Sequence, residues 1–309
     1  MVKTTTKLLS FLFAIFPIIA YTLYEMIQEC CGISIDMNDF YKNKNILITG
    51  ASSGIGESLV SVLNDLYPNA NLIIAARNIE KLQKIKDHCT NSNITIIKLD
   101  LMDKASIYDA VNSIQIIPDI IIHNAGISSR ASIYENSIES VETIMKTNFF
   151  GPVLLTTLLL PKMKKLNNGG IIALISSVQG KIALPNRASY SASKHAIQAW
   201  CDSLRSEVFQ DNIHVLTISP GYVSTNLSIN ALNGDGSKYN QLDKNTKNGM
   251  SPVILANIIL KSIANKNSDI DVCDFKTYSA IIYSRLMPNL FRWIMNKRAA
   301  SDRNNNKED

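Results

Sequence analysis

Short apolar runs alternate with longer amphipathic stretches along most of this chain, and this alternation constrains the fold more than any other feature. Apolar runs that lack polar alternation suit strands buried on both faces of a sheet. They are Ile46–Thr49, Leu72–Ala76, Ile94–Ile97, Ile120–His123, Ile171–Ile175 and Val215–Ile218. The intervening stretches have helical periodicity and are Glu57–Leu66, Glu80–His88, Ala105–Ile114, Glu139–Leu166 and Ser191–Phe209. The alternation predicts an α/β fold in a single domain: a doubly wound parallel sheet with helices on both faces.

The N-terminus departs from this pattern, because residues 8–24 carry no charged side chain and are almost entirely apolar. About 20 apolar residues cross a bilayer, and Lys3 and Lys7 lie in the short flank 1–7. No small-residue cleavage site follows, since the chain continues with Glu25 and further polar residues. We therefore expect an uncleaved transmembrane signal-anchor helix over 8–24; a cleaved signal peptide and a buried core helix are the alternatives.

Composition divides the rest of the chain. We expect a linker over 25–41, the folded domain over 42–300 and a polar, disordered tail over 301–309. The net charge of +5 comes from scattered lysines, which favours a solvated surface over nucleic-acid binding. The five cysteines have no metal-ligand spacing, so we expect free thiols and no metal. Cys30 and Cys31 follow the anchor, where acylation is an alternative to burial.

A glycine-rich segment, Thr49–Gly56, follows the first predicted strand and opens the first predicted helix. Glycines permit a tight turn and a close approach of the backbone to a pyrophosphate, and the start of the helix offers free N–H groups. The segment predicts a dinucleotide-binding loop of the Rossmann type; an ordinary strand–helix turn is the plainer alternative. The residues expected to bind the cofactor are Gly50, Ser52, Ser53, Gly54, Ile55 and Gly56.

The end of the second predicted strand bears on the choice of cofactor. An Asp or Glu about 20 residues beyond the glycines would bind the adenosine ribose of NAD, but the residues here are Ala76, Arg77 and Asn78. Arg77 is suited to pair with a 2′-phosphate, so we expect NADP(H) to be preferred, with NAD(H) as the alternative if Arg77 is only a surface residue. Asp100 ends the third strand and is expected to bind the adenine amino group, or else to cap the next helix.

Tyr190 and Lys194 lie four residues apart and share one face of a predicted helix. A phenol has a pKa of about 10 and is a weak acid at neutral pH, but a nearby ammonium lowers that pKa. The pair is therefore suited to give a proton to a carbonyl oxygen; a surface pair is the plain alternative. Ser177 ends the fifth strand and can donate to the same oxygen, and Asn148 can order a water for a proton relay.

Further candidates stand at the ends of predicted strands, where open α/β sheets bind their ligands. The residues that we expect to contact the cofactor are Asn124, Ala125 and Gly126 after the fourth strand, and Pro220, Gly221, Val223 and Thr225 after the sixth. The following stretch, about 222–249, is long, polar and rich in Gly and Asn. It predicts a mobile lid over the substrate.

Over residues 44–266, these motifs resemble the short-chain dehydrogenase/reductase family. The resemblance implies an NAD(P)-dependent oxidoreductase in which Tyr190 donates the proton, while Lys194 activates the tyrosine and binds the cofactor ribose. It also implies that Ser177 orients the substrate carbonyl and that Asn148 completes the relay.

The second half of the chain resembles a subgroup of this family whose members begin with a membrane anchor. The stretches that carry this resemblance are 175–181, 192–196, 218–228 and 235–239. It implies a reductase of a ketone on a lipophilic substrate, such as acyl- or alkyl-dihydroxyacetone phosphate. The alternatives are an NAD-linked steroid or retinoid alcohol dehydrogenase and a non-catalytic, membrane-tethered binding module. One departure from the family is His123, which replaces the more usual Asn before Asn124 and affects a local strand contact.

The same features give expectations about location and assembly. Lys3 and Lys7 favour a cytoplasmic N-terminus, so we expect a single-pass, type II protein of the endoplasmic reticulum membrane, with the peroxisomal membrane as the alternative. Membrane lipid is then a partner, and the family resemblance implies a homodimer or homotetramer. The aromatic stretch 278–295 is expected to cover the substrate mouth, to lie in the membrane interface, or to form a core helix broken at Pro288.

Overall fold

The computed structural model describes residues 35–90, 93–166 and 169–305. From Met37 onward the chain forms one compact unit; of the unit before it, only Ile35 and Asp36 are described. The predicted signal-anchor 8–24 with its flank, the first part of the predicted linker and its two adjacent cysteines therefore lie outside the described residues.

Seven parallel strands form a single sheet. They are β1 (Asn45–Thr49), β2 (Asn71–Ala76), β3 (Ile94–Lys98), β4 (Ile120–His123), β5 (Gly170–Ile175), β6 (Ile213–Pro220) and β7 (Asp269–Val272). Their order is β3-β2-β1-β4-β5-β6-β7, and every neighbouring pair is parallel. The strand order reverses between β1 and β4, which is where doubly wound sheets open a crevice for ligands.

Helices cover both faces of the sheet, as predicted. They are α1 (Met37–Tyr41), α2 (Gly54–Leu66), α3 (Ile79–His88), α4 (Lys104–Ser113), α5 (Ile138–Met145), α6 (Gly151–Met163), α7 (Ala188–Glu207), α8 (Lys244–Lys247), α9 (Pro252–Ala264), α10 (Phe275–Leu286) and α11 (Pro288–Asn305). Successive strand residues point to opposite faces, so Ile46 and Ile48 pack in the core beneath α2 and α9. Leu47 packs in the second core, beneath α4, α6 and α7.

The last part of the segment predicted as a linker, 25–41, is helical and belongs to the folded unit. Helix α1 occupies its last five residues, and Tyr41 is completely buried in the core. Its hydroxyl donates a 2.7 Å hydrogen bond to the carbonyl of Leu260, and its ring packs against Tyr67. An aromatic side chain with a satisfied hydroxyl stabilises such a docked helix through the apolar area it buries. The folded unit therefore begins at Met37 and not at residue 42.

The predicted helix Glu139–Leu166 is interrupted. A π-helical turn, Lys146–Phe150, separates α5 from α6. In the described part of the chain, 138–163 is the one helical stretch long and apolar enough to cross a membrane. Its apolar side chains form part of the core, because Leu155, Leu159 and Met163 are buried against the sheet.

The C-terminal part contains elements that the apolar pattern did not predict. Strand β7 is only four residues long, and its two aspartates, Asp269 and Asp271, both pair with Lys181 at 2.9 and 2.7 Å. A short edge strand with acidic residues lacks the apolar run of a central strand. The predicted disordered tail was wrong at its start, because α11 continues through Asn305. A helix adds further residues readily once its first turn exists.

Candidate active site

The glycine segment between β1 and α2 forms a tight cradle at the sheet's carboxyl edge. Gly50 and Gly54 have φ angles of +66° and +59°, a region that side chains rarely adopt. A Cβ on Gly50 would lie 2.8 Å from the Cα of Ala125, so a side chain has no room there. Ser53 caps α2 without a side-chain hydrogen bond, so its hydroxyl is available to an anion at the helix start. The loop fits the pyrophosphate of a dinucleotide.

The second loop, after β4, is fastened to the first by paired polar contacts. The Oγ1 of Thr49 accepts hydrogen bonds from the backbone N–H groups of Asn124 and Ala125 at 3.1 and 3.2 Å. The Asn124 side chain donates in return to the carbonyls of Thr49 and Gly50 at 3.1 and 3.2 Å. These contacts hold the two loops at a fixed separation, and both line the same cavity.

That cavity has a volume of about 600 Å³ and follows the carboxyl edge of the sheet. Every residue predicted to bind cofactor or substrate lines it except Gly56 and Asn148. A side chain at Gly56 would strike Asn124, so this glycine allows close packing of the loops. In the described ranges, no group of three His, Cys, Asp or Glu side chains could hold a metal ion.

One end of the cavity, which follows β2 and β3, carries positive charge; we call it the adenosine end because the sequence predicts that the adenosine binds there. Arg77 and Lys81 line it together with Asn78, whose side chain accepts a 2.8 Å hydrogen bond from the Lys81 backbone and thereby caps α3. Asp100 lines the same end, and one of its oxygens accepts from the Met102 backbone at 3.0 Å. Asp100 is not a helix cap, because the adjacent Asp103 caps α4.

Tyr190, Lys194 and Ser177 meet at the other end of the cavity, and each side chain is at least nine-tenths buried. Tyr190 and Lys194 lie in the first two turns of α7. The Lys194 ammonium donates a 2.9 Å hydrogen bond to the Ile175 carbonyl and lies 5.9 Å from the Tyr190 ring centre. Ser177 hydrogen-bonds the phenol and also caps a short 3₁₀ turn through the Gln179 backbone.

Burial, and not only the nearby ammonium that the sequence analysis considered, affects the pKa values of Tyr190 and Lys194. Burial raises the pKa of Tyr190, while the Ser177 hydrogen bond and the charge of Arg187 lower it in part. Burial lowers the pKa of Lys194 to about 8. Arg187 is therefore a second cation near the phenol, in addition to the Lys194 ammonium on the same helix. At neutral pH, Tyr190 carries its proton and Lys194 its positive charge.

Asn148 lies in the π-helical turn and is buried. Its Oδ1 accepts a 2.9 Å hydrogen bond from the Ile127 N–H. Its Nδ2 donates to the Ile127 carbonyl at 2.8 Å and to the Ser193 hydroxyl at 2.9 Å. The amide thus fixes the loop after β4 to α7 at Ser193, the residue that precedes Lys194. These bonds give Asn148 a positioning role; its Oδ1 accepts only one of the two hydrogen bonds open to an amide oxygen, and the relay through a water stays a prediction.

The predicted lid, 222–249, crosses the substrate end of the cavity and is tied down by one carboxylate. Asp243 accepts hydrogen bonds from Arg130 and, at 3.1 Å, from Arg187, whose side chains are 10% and 13% exposed. Leu232 in the lid also bridges to Ser129. Sequence analysis missed both arginines and Asp243, since partners more than 50 positions apart leave no local pattern.

The start of the lid returns to the glycine cradle. Gly221 donates to the Val272 carbonyl of β7 at 2.9 Å, and Val223 bridges to Met250. A Cβ on Gly54 would lie 3.2 Å from the Thr225 methyl group. The residues after β6 therefore close the cavity over the first loop.

Comparisons with known proteins agree with this geometry. The family model described as short chain dehydrogenase matches residues 44–235. A Drosophila melanogaster protein named dehydrogenase/reductase SDR family protein 7-like is 44% identical over 86% of this chain and 83% of its own length. Dehydrogenase/reductase SDR family member 7B of Bos taurus, the subgroup that the sequence resembles, is 38% identical over 92% of this chain and 88% of its own.

A solved structure supports the same assignment. The closed form of serine dehydrogenase complexed with NADP⁺ superimposes with a TM-score of 0.66 at 26% identity, covering 74% of this chain and 94% of that one. The family match, the relatives and the fold together confirm the predicted family. The chain belongs to the short-chain dehydrogenase/reductase family and is an NAD(P)-dependent oxidoreductase.

Proposed function

We propose that this protein is a membrane-anchored reductase that uses NADP(H) to reduce the ketone of a lipophilic substrate, such as acyl- or alkyl-dihydroxyacetone phosphate. The observation behind this proposal is geometric, because the Tyr190 phenol lies at the end of the cavity with Ser177 beside it and Lys194 one turn further along α7. A group that holds its proton at neutral pH is suited to donate it to a carbonyl oxygen. The bound nicotinamide would supply the hydride.

The roles of the chain's own residues follow from their contacts. Tyr190 donates the proton, and Ser177 orients the carbonyl oxygen beside the phenol. Lys194 is held by the Ile175 carbonyl at the edge of the cavity, where its ammonium can bind the cofactor ribose. Asn148 positions both the loop after β4 and α7. Arg187 keeps a positive charge near the phenol when substrate binds.

The preference for NADP(H) is supported by the adenosine end of the cavity. Arg77 and Lys81 line it, and no carboxylate ends β2. An arginine at this position suits a 2′-phosphate, whereas NAD sites use an acidic residue to bind the ribose hydroxyl. Residues 50, 54, 124, 125 and 126 provide the close backbone approach that either dinucleotide needs.

The substrate end of the cavity supports a lipid with an anionic head group. Ile127, Leu227 and Leu232 line it and suit an acyl chain, whereas Arg130 and Lys238 add positive charge. Asp243 is shared between two arginines, which leaves an excess of one positive charge in this group. A phosphate ester would be attracted to that charge.

Anchoring at the endoplasmic reticulum membrane rests on the uncharged segment 8–24 and is proposed as type II. A lipid substrate would then lie in the same membrane. Assembly as a homodimer or homotetramer is supported by Phe150 and Phe209, large apolar side chains that are exposed at the ends of α6 and α7. Pairing of these helices would cover them.

The decisive experiment is NADPH consumption by the full chain in detergent. The panel contains an acyl-dihydroxyacetone phosphate, its dephosphorylated form, a steroid ketone and retinal, with NADH alongside. We expect turnover of the phosphate ester, a KM roughly tenfold higher without the phosphate, and a loss of about 10²–10⁴ in kcat for Tyr190→Phe. Tyr108→Phe, which changes an exposed tyrosine on α4, is the matched control. Preference for NADH, or turnover that survives Tyr190→Phe, would contradict the proposal.

A further inference from the structure

The helices α10 and α11 pack together as a hairpin whose outer face is apolar and exposed. The exposed members, called the hairpin face from here on, are Phe275, Tyr278, Tyr283, Leu286, Met287, Leu290, Trp293 and Ile294. Soluble proteins seldom expose so many large apolar side chains next to each other, and such a patch marks a surface that binds something.

The inner side of the hairpin fixes where this face lies. Ile281 is buried, and it packs with Phe291 against Val178 and Ile182. Val178 directly follows Ser177 at the substrate end of the cavity. The hairpin is thus attached to the active-site wall by its inner side, and the hairpin face points away from the protein beside the substrate end.

The charge of the hairpin identifies the kind of partner. Residues 275–300 contain five basic side chains, Lys276, Arg285, Arg292, Lys297 and Arg298, and no acidic one. On α11, Leu290, Trp293, Ile294 and Lys297 recur at helical spacing on one face, and the Lys297 ammonium lies 3.9 Å from the Trp293 ring centre. Aromatic and aliphatic residues bordered by cations are typical of helices that lie in the interface of an acidic membrane.

A second copy of the chain fits this face less well. A two-fold interface would place the same patch on both subunits, so five positive charges would meet five others. Within residues 275–300 no acidic side chain could offset them; the nearest ones, Asp274 and Asp302, lie just outside that range. Like charges brought together across an interface disfavour that pairing.

We propose that the hairpin face lies in the interface of a bilayer that contains acidic lipids and holds the substrate end of the cavity against it. The proposal does not depend on the reaction or on residues 8–24, because it concerns a second membrane contact on the folded unit. Because the hairpin packs on Val178, next to Ser177, this membrane contact would lie beside the substrate end of the cavity.

The two tryptophans of the chain provide a direct test. Full chain carrying Trp200→Phe keeps only Trp293, in the hairpin face, and full chain carrying Trp293→Phe keeps only Trp200, on α7. Each is reconstituted with vesicles of phosphatidylcholine alone or with one-third phosphatidylserine, with and without a lipid spin-labelled near the head group. We expect quenching of Trp293 by about half in the acidic vesicles, at least twofold less quenching in neutral ones, and little quenching of Trp200.

Three results would overturn the proposal. Trp293 quenched no more than Trp200 would show that the hairpin face does not touch lipid. Equal quenching of Trp293 in both kinds of vesicle would remove the assignment to acidic lipid. Trp293 shielded from aqueous acrylamide but not quenched by lipid, in a dimer measured by light scattering, would assign the face to a second copy. Replacing Arg292, Lys297 and Arg298 with Gln should reduce the acidic-lipid quenching to the neutral level.

Discussion

The two ends of the cavity, proposed to bind the cofactor and the substrate, are held in different ways. Around Gly50, the short side chains of Thr49 and Asn124 hydrogen-bond the backbone across the ends of β1 and β4, and close contacts leave no room for a side chain at residue 50. Around the lid, a single carboxylate, Asp243, joins two arginines that come from distant parts of the chain. The first arrangement is set by the sheet, whereas the second depends on a few charged side chains that can separate and re-form.

The two kinds of contact differ in how easily substitutions can change what each end of the cavity binds. A cofactor common to many enzymes suits a cradle of backbone atoms, because few substitutions can alter it without breaking the turn. A substrate pocket closed by Asp243 and its two arginines can be altered by single substitutions that leave the sheet intact.

Lys194 lies between the two ends of the cavity. Its replacement should lower activity and raise stability. Lys194→Met is expected to lower kcat/KM by about 10²–10⁴. Burial lowers the pKa of Lys194 to about 8 in the folded protein, below its unfolded value of about 10.4. The charged form therefore destabilises the native state at pH 7, and we expect Lys194→Met to raise the free energy of unfolding without cofactor by about 2 kcal/mol.

Urea unfolding at two pH values checks the sign of this effect. The native-state cost of Lys194 is complete below about pH 8 and disappears as the pH rises through its unfolded pKa. The stability gained by Lys194→Met should therefore be larger at pH 7 than at pH 9.5. A variant no more stable than the parent at pH 7 would show that the burial of this ammonium is compensated by its hydrogen bond to Ile175.

Two glycines with positive φ angles compare the two sides directly. Gly50 (φ +66°) would bring a Cβ to 2.8 Å from Ala125, whereas Gly236 (φ +85°) in the lid has nothing within 4 Å of that position. We expect Gly50→Ala to cost about 2–4 kcal/mol in stability and to abolish tight NADPH binding, from backbone strain and a steric clash together. Gly236→Ala should cost only about 1 kcal/mol. Equal losses by thermal denaturation would mean that the clash is relieved by movement of the loop.

The lid contact should affect substrate binding and spare cofactor binding. Asp243→Asn removes the charge that Arg130 and Arg187 share, and a hydrogen bond to a charged group contributes about 1.5 kcal/mol, or roughly tenfold. We expect KM for the carbonyl substrate to rise by that factor, with the Kd for NADPH unchanged. Asp235→Asn, also in the lid but exposed and bonded only to Ser237, is the control. A parallel loss of NADPH affinity would mean that the two sides are coupled.

The smallest expected change in stability concerns His123, a buried histidine in β4 near the glycine cradle. His123 in β4 bonds Thr156 at 2.8 Å, and burial lowers its pKa to about 4, below an unfolded value of about 6.5. Its contribution to stability is present above pH 6.5 and is lost as the pH falls toward 4. We expect the parent to lose about 1 kcal/mol of unfolding free energy between pH 7.5 and 5.5 through this group. His123→Asn should lack that loss in matched urea titrations; an identical pH dependence would mean that other groups cause it.

The same contrast explains what could be predicted from sequence. Six of the seven strands, the glycine cradle and the pair Tyr190–Lys194 depend on short-range patterns, and the structure brings the predicted cavity residues together. Strand β7 was missed because its inward residues alternate with aspartates that pair with Lys181. The contacts of Asp243 could not be predicted, since an isolated aspartate in a polar loop carries no sign of its partners.

The π-helical turn at Lys146–Phe150 has a consequence for the phase of the whole helix. Buried positions recur every four residues through Ser140, Ile144, Asn148, Pro152 and Thr156. A regular α-helix has about 3.6 residues per turn, and a single π-helical turn takes up about one residue more. The added residue rotates α6 by about 100° relative to α5. One helix can thereby direct Asn148 toward the site and still present its leucines to the sheet. Deletion of a single residue here would restore a regular helix and put one of those two faces out of phase with its partner.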